Sequence, residues 1–226
     1  MLSYINKLTI EFENNADIDI SLSQKVYMKN HFKFYGIKTP QRRMIQKKFF
    51  SKHALPNEKN AKKIILSLWE KPQREYQYFA QELMQKYKTN FAKDDIEILE
   101  YLIVNKSWWD TIDVIATKLV GEYFKIYPEQ KKLYIDKWIN SKNIWLQRTT
   151  ILFQLNYKQE TDTNLLRYII NSLLNSNEFF IDKAIGWILR EYNVPICQDH
   201  LNQHSYFTYY ATDCNCSFST TNLLTA

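Results

Sequence analysis

Apolar residues recur at helical intervals from the start of the chain. Leu2, Ile5, Leu8, Ile10 and Phe12 predict an amphipathic helix over residues 1–14. Val26, Tyr27, Phe32 and Phe34 predict a second helix from Ser21 to Phe34. Gly36 then breaks the pattern; Thr39 suits an N-cap and Pro40 the first position of a third helix. From Asn57 the pattern settles into pairs: 57–70 with 73–88, 92–105 with 107–124, 128–140 with 143–157, and 162–174 with 177–191. Ile103-Val104-Asn105, Trp138-Ile139-Asn140 and Leu173-Leu174-Asn175 each close a first helix, and they recur at a spacing of 35. A repeat of that length built from two helices predicts an all-α fold, an α-solenoid of HEAT-like helix pairs with a concave basic groove, because one pair cannot bury its apolar faces alone.

The same register puts Asp113, Arg148 and Lys183 at equivalent positions of three successive second helices. In a solenoid such positions line up along one surface. Trp109 stands one turn before Asp113 and Trp187 one turn after Lys183, so the row reads Trp, Asp, Arg, Lys, Trp. Taken alone, Ser107-Trp108-Trp109-Asp110-Thr111-Ile112-Asp113 reads as a helix with a large core residue and a solvated acid. The row changes that reading, since a core would not hold these charges and a solvated face would not need two indoles. An indole beside a carboxylate suits a cation or a developing positive charge. Gly186, mid-helix before Trp187, costs about 1 kcal/mol relative to Ala, which close approach of a neighbouring helix, the favoured reading, or of a ligand backbone would offset.

Three glycines in 226 residues agree with helices joined by short connectors. All 30 Lys and Arg lie at or before Arg190, so residues 1–193 carry 30 − 22 = +8 and the remainder, with only Asp199 and Asp213, carries −2. A basic helical body suggests a polyanionic partner. Arg42 and Arg43 open the third helix, where the helix dipole favours anions; either a phosphate docks there, or the two stand as unpaired, exposed arginines. The absence of a signal-like N-terminal segment or an apolar run of membrane-spanning length gives an expectation of a soluble, cytoplasmic protein with no membrane partner. Cys197, Cys214 and Cys216 are joined after residue 193 by His200 and His204, but the spacing fits no strong zinc pattern and no metal is expected.

Several motifs closely resemble the AlkD family of DNA alkylation repair enzymes, glycosylases built from HEAT-like repeats. They are Tyr27-Met28-Lys29-Asn30, Gly36-Ile37-Lys38-Thr39-Pro40-Gln41-Arg42-Arg43, Lys106-Ser107-Trp108-Trp109-Asp110, Asn143-Ile144-Trp145-Leu146-Gln147-Arg148 and Lys183-Ala184-Ile185-Gly186-Trp187. The resemblance runs from the N-terminus to about Tyr192. It implies hydrolysis of the N-glycosidic bond of positively charged alkylated purines, N7-alkylguanine and N3-alkyladenine, in duplex DNA and without base flipping. Carried over by motif, Asp113 would be the catalytic carboxylate, with Trp109, Trp187 and Tyr27 around the lesion's deoxyribose. Arg148 would keep Asp113 ionised and, with Lys183, hold phosphates. Arg42 and Arg43 would fix the duplex further along, and Thr39 and Arg190 complete the DNA-binding candidates. The resemblance implies a monomer with no cofactor.

After Arg190-Glu191-Tyr192 the family pattern would continue with Lys-Thr-Asn-Pro and further helices, whereas this chain gives Val194-Pro195-Ile196-Cys197 and a Ser/Thr/Tyr/Asn-rich run. The expected division is therefore a repeat domain over 1–193 and a divergent tail over 194–226, read as the product of an altered frame or truncated gene. Two rival readings use the same fold: a non-catalytic DNA-binding paralogue, and a protein–protein adaptor. The adaptor would present an apolar or acidic groove.

Overall fold

A computed structural model describes residues 2–192. The segment holding Cys197, Cys214, Cys216, His200 and His204, and with it the expected tail, lies outside the described residues. Helix α1 (Leu2–Glu13) is followed by α2 (Ile18–Tyr27) and α3 (Thr39–Lys52). The pairs are α4 (Glu58–Trp69) with α5 (Arg74–Gln85), α6 (Asp95–Val104) with α7 (Trp109–Val114), α9 (Pro128–Ile139) with α10 (Ile144–Leu152), and α11 (Thr163–Leu173) with α12 (Phe179–Tyr192). Helix α7 runs on through a π-helical segment (Ile115–Val120) into α8 (Gly121–Ile126). Among the described residues there is no strand, only an isolated bridge between Lys33 and Gln73. The all-helical class is as expected.

Side-chain caps set four of the helix starts. Asp17, Asn57, Asn143 and Asp162 each accept hydrogen bonds from backbone N–H groups of the turn they open, supplying partners the first turn of a helix lacks. The connectors inside three pairs turn through Lys106, Lys142 and Asn177 at φ of 50°, 57° and 55°. These are left-handed positions where glycine is usual, and they recur 36 and 35 residues apart, close to the repeat spacing. In a chain so poor in glycine, Lys and Asn take them.

The second helices form one layer, α5 against α7, α7 against α10, and α10 against α12, while α9 and α11 pack together among the first helices. The triplets that mark the repeat share a buried first residue, Ile103, Trp138 and Leu173; of the residues after them Val104 is exposed and Leu174 partly so, while Ile139 stays buried. Between the layers sit Trp69, Tyr76, Phe79, Phe124, Trp138 and Phe153, all fully buried. The two buried indoles keep their polar edge satisfied, Trp69 Nε1 donating to the Asn105 carbonyl at 2.9 Å and Trp138 Nε1 to Glu100 at 2.9 Å.

The N-terminal region departs from the pattern-based reading. Helix α2 stops at Tyr27, and neither Phe32 nor Phe34 belongs to it. It buries none of its residues and exposes Ile18, Leu22 and Val26. Thr39 is not the N-cap of α3 but its first residue; Lys38 occupies the cap and makes no side-chain hydrogen bond there. The loop between is held by Glu75, whose buried carboxylate accepts the N–H groups of Tyr35 at 3.1 Å, Gly36 at 3.1 Å and Ile37 at 3.2 Å. Burial pushes the Glu75 carboxyl up while these donors pull it down. Gly36 sits at φ 90°, and a Cβ there would stand 1.9 Å from the Asp17 carbonyl oxygen. This turn brings the end of α2, with Tyr27, back over α7.

Candidate DNA-facing site around Asp113

Helix α7 presents Trp109 and Asp113 one turn apart, as the i, i+4 spacing requires. The Asp113 side chain is 18% exposed, and Arg148 on α10 grips it with both arms, Nε to Oδ1 at 2.7 Å and Nη2 to Oδ2 at 3.0 Å. The remaining terminal nitrogen of Arg148, Nη1, donates to the Phe180 carbonyl at the start of α12. One guanidinium thus joins α7, α10 and α12. The helix turns π-helical just after Asp113, from Ile115, and Thr117 Oγ1 donates to the Asp113 carbonyl at 2.7 Å. Insertions of this kind shift the register of the later turns of the helix and are frequent at functional sites.

Burial raises the Asp113 carboxyl above the usual carboxylate range; Arg148 pulls it down, and Asp110 one turn earlier pushes it up again. Arg148 therefore acts in the expected direction, but burial outweighs it.

Tyr27, from the end of α2, meets Trp109 edge-on with ring centroids 6.2 Å apart. Both line an open cleft of about 870 Å³ between α3, α5 and α7, with Arg43, Lys47, Asp110 and Lys118 on its walls. Thr39 and Arg42 also line it. Asp113 lies one turn beyond Trp109, outside the lining. Lys183, Trp187 and Arg190 are all on α12 and also lie outside it. Trp187 is half-buried against the core. Lys183 is exposed, its ammonium 5.6 Å from the centre of the Phe179 ring, and Arg190 is exposed in the last turn.

Two arginines expected to reach phosphate are engaged inside the protein. Arg42 is 7% exposed; it pairs with Glu82 at 2.9 Å and lies 4.4 Å from the centre of the Tyr78 ring. Arg148 is 5% exposed and holds Asp113. Each meets an acid 35 to 40 residues away in sequence; the repeat register sets Arg148 beside Asp113, but nothing in the sequence pattern pairs Arg42 with Glu82. Arg43, next to Arg42, stays exposed. The expected close approach of a helix at Gly186 is also absent among the described residues: a Cβ there would meet none of them within 4 Å.

A second ion pair lies beneath the site. Arg74 on α5 grips Asp110, Nε to Oδ2 at 2.9 Å and Nη2 to Oδ1 at 2.6 Å, and Tyr78 Oη donates to the same carboxylate at 2.7 Å. Stepping the repeat back by 35 from Trp109 and Asp113 gives Arg74 and Tyr78, so the register contained this signal. The same step links Glu75, Asp110, Trp145 and Phe180, and the last two stack at 4.9 Å. Trp108 joins them at 5.6 Å and 5.2 Å, and His31 stacks on Trp108 at 4.2 Å.

Residues 8–195 match the family described as DNA alkylation repair enzyme. The chain belongs to that family. Among solved structures it is similar to a predicted DNA alkylation repair enzyme from Enterococcus faecalis, 25% identical, with a TM-score of 0.72 over 88% of this chain and 90% of that one. No curated protein matches. The family matched points to a role in DNA repair and to DNA as a partner. No helix among the described residues is long and apolar enough to cross a membrane, and no group of three or more His, Cys, Asp or Glu among them is placed to hold a metal ion.

Proposed function

We propose that this protein is an alkylpurine DNA glycosylase of base excision repair, acting on N7-alkylguanine and N3-alkyladenine in duplex DNA. The observation that carries the reading is the Asp113 carboxylate: half-buried, fixed on both oxygens by Arg148, yet still partly open beside Trp109.

A cationic alkylated purine is already a good leaving group. When the bond between its nitrogen and C1′ breaks, the electron pair stays with the base, which departs neutral and needs no general acid. The positive charge moves to the sugar. A carboxylate placed in advance stabilises that charge without reorganising, and the electron-rich faces of Trp109, Tyr27 and Trp187 add to the effect. Asp113 also orients the water that adds to C1′, whose proton then passes to solvent. Nothing in this chemistry requires lifting the base into a pocket, so the duplex is approached from its backbone with the lesion unflipped. It also requires no metal or organic cofactor, and one chain suffices, acting as a monomer in the cytoplasm.

The second-helix layer forms the basic concave groove in this reading. Exposed Arg43, Lys47, Lys118 and Lys183 hold phosphates, with Thr39 and Arg190 at the margins. Arg42 and Arg148 act from within, the first by shaping the cleft wall and the second by orienting Asp113. The open space at Gly186, beside Trp187, leaves room for a sugar-phosphate backbone.

The test is release of free 7-methylguanine from duplex DNA carrying N7-methylguanine. The wild type releases it, and Asp113→Asn loses rate on the order of a hundredfold while still binding DNA. A chain that binds the duplex and releases nothing would be the non-catalytic paralogue.

A further inference from the structure

Arg74 is the most completely committed arginine of the second-helix layer. It is 0% exposed, and every contact it makes with α7 lies at that helix's start. Besides the two bonds to Asp110, Nη1 donates to the Lys106 carbonyl at 2.7 Å and Nη2 to the Thr111 hydroxyl at 2.8 Å. Its guanidinium plane lies over Phe32, 3.8 Å from the ring centre. The Asp110 side chain is 7% exposed, closed over by Arg74 and Tyr78, and stands one turn before Asp113 on the same helix. Arg42 lies on the Tyr78 ring from α3, and Arg148 faces Asp113 from α10. Among the described residues these groups, with Arg74 and Tyr78, face the two acids from the helices packed on α7.

We propose that the Arg74–Asp110 pair is a positioning device for the glycosylase site: it fixes the first turn of α7, and so the stance of Trp109 and Asp113, and it neutralises the one other carboxylate on that turn. This rests on the glycosylase reading for its consequence in catalysis, but its geometry does not. A buried guanidinium with four directed bonds to one helix start does more than balance charge, since a lysine would balance the charge and make fewer of the bonds. The two pairs form a ladder: α5 holds α7 through Arg74 and Asp110, and α10 holds α7 through Arg148 and Asp113. The acid offered to the sugar is held from both sides.

Two measurements on the full chain test this. The first is the pH titration of the Asp113 side-chain carboxyl by ¹³C NMR, assigned by its loss in Asp113→Asn. In Asp110→Asn, which removes a negative charge one turn away and leaves Arg74 uncompensated, the Asp113 midpoint falls by about half a unit to one unit. The second is single-turnover release of 7-methylguanine by Arg74→Lys. This variant keeps the charge but loses the fork, and its maximal rate falls roughly tenfold with unchanged affinity for DNA and unchanged helical content. If Asp110→Asn does not fold, Arg74→Lys decides alone. An unmoved Asp113 midpoint, or a rate loss in Arg74→Lys matched by the loss of folded protein, overturns the proposal. If the wild type releases no base at all, the glycosylase reading has failed, and the Asp113 titration still decides whether Asp110 sets its charge.

Discussion

A carboxylate removed from water resists ionising, and at Asp113 two influences oppose each other. Burial, reinforced by Asp110, raises its midpoint, and the bidentate grip of Arg148 lowers it, with burial the larger. The acid limb of base release should therefore lie above the ordinary aspartate value of about 3.9, and it should move to higher pH in Arg148→Ala, read from rates measured across pH. A limb at the ordinary value would show that another group controls the rate. The stability consequence has the opposite sense from that of a salt-bridged acid with a depressed midpoint. With its folded midpoint above the unfolded one, Asp113 costs stability as pH rises through the window between the two, and the cost persists above it. That pH dependence should be missing from Asp113→Asn. Arg148→Ala should also destabilise by about 3 kcal/mol, measured by urea unfolding, because it strands a half-buried acid. Asp113 and Arg148 were legible as a pair because they share a repeat register, and Trp109 because it stands one turn before Asp113. The burial of Arg42 was not legible, because it depends on Glu82, an acid supplied by a distant helix.

At the scale of elements, the pattern identified the helix pairs well because two layers sandwiching one core force apolar residues onto one face of each helix. It placed Asn105, Asn140 and Asn175 at or just past the ends of first helices, where the structure has them. It failed at α2, where Val26 and Tyr27 are apolar but exposed, so hydrophobicity there does not report a core. The π-helical segment was equally hidden, since one extra residue in a turn leaves no mark in composition. Two glycines make opposite predictions. Gly36→Ala, at a left-handed position with a carbonyl oxygen 1.9 Å from the new Cβ, should cost more than about 1 kcal/mol and lower the thermal midpoint. Gly186→Ala meets none of the described residues within 4 Å and should stabilise α12 by about 1 kcal/mol, visible as a raised urea midpoint. A destabilised Gly186→Ala would mean that the neighbouring helix does come close.

For the molecule as a whole, the excess of positive charge in residues 1–193 should make DNA binding steeply dependent on salt. Burial divides the arginines. Removing exposed Arg43 should lower the slope of log affinity against log salt by about 0.9, while Arg42→Ala should leave the slope unchanged, because its charge already belongs to Glu82. Equal slopes for the two variants would undo that division. The second-helix layer is linked end to end by buried polar contacts, Arg74 to Asp110, Arg148 to Asp113, and Arg148 to the Phe180 carbonyl. Those contacts hold one acid at one place on one face. Whether that acid does chemistry is measured most directly by single-turnover release of 7-methylguanine at saturating protein, comparing the wild type with Asp113→Asn. A loss on the order of a hundredfold with unchanged DNA affinity is the predicted result; equal rates for the two proteins would contradict it.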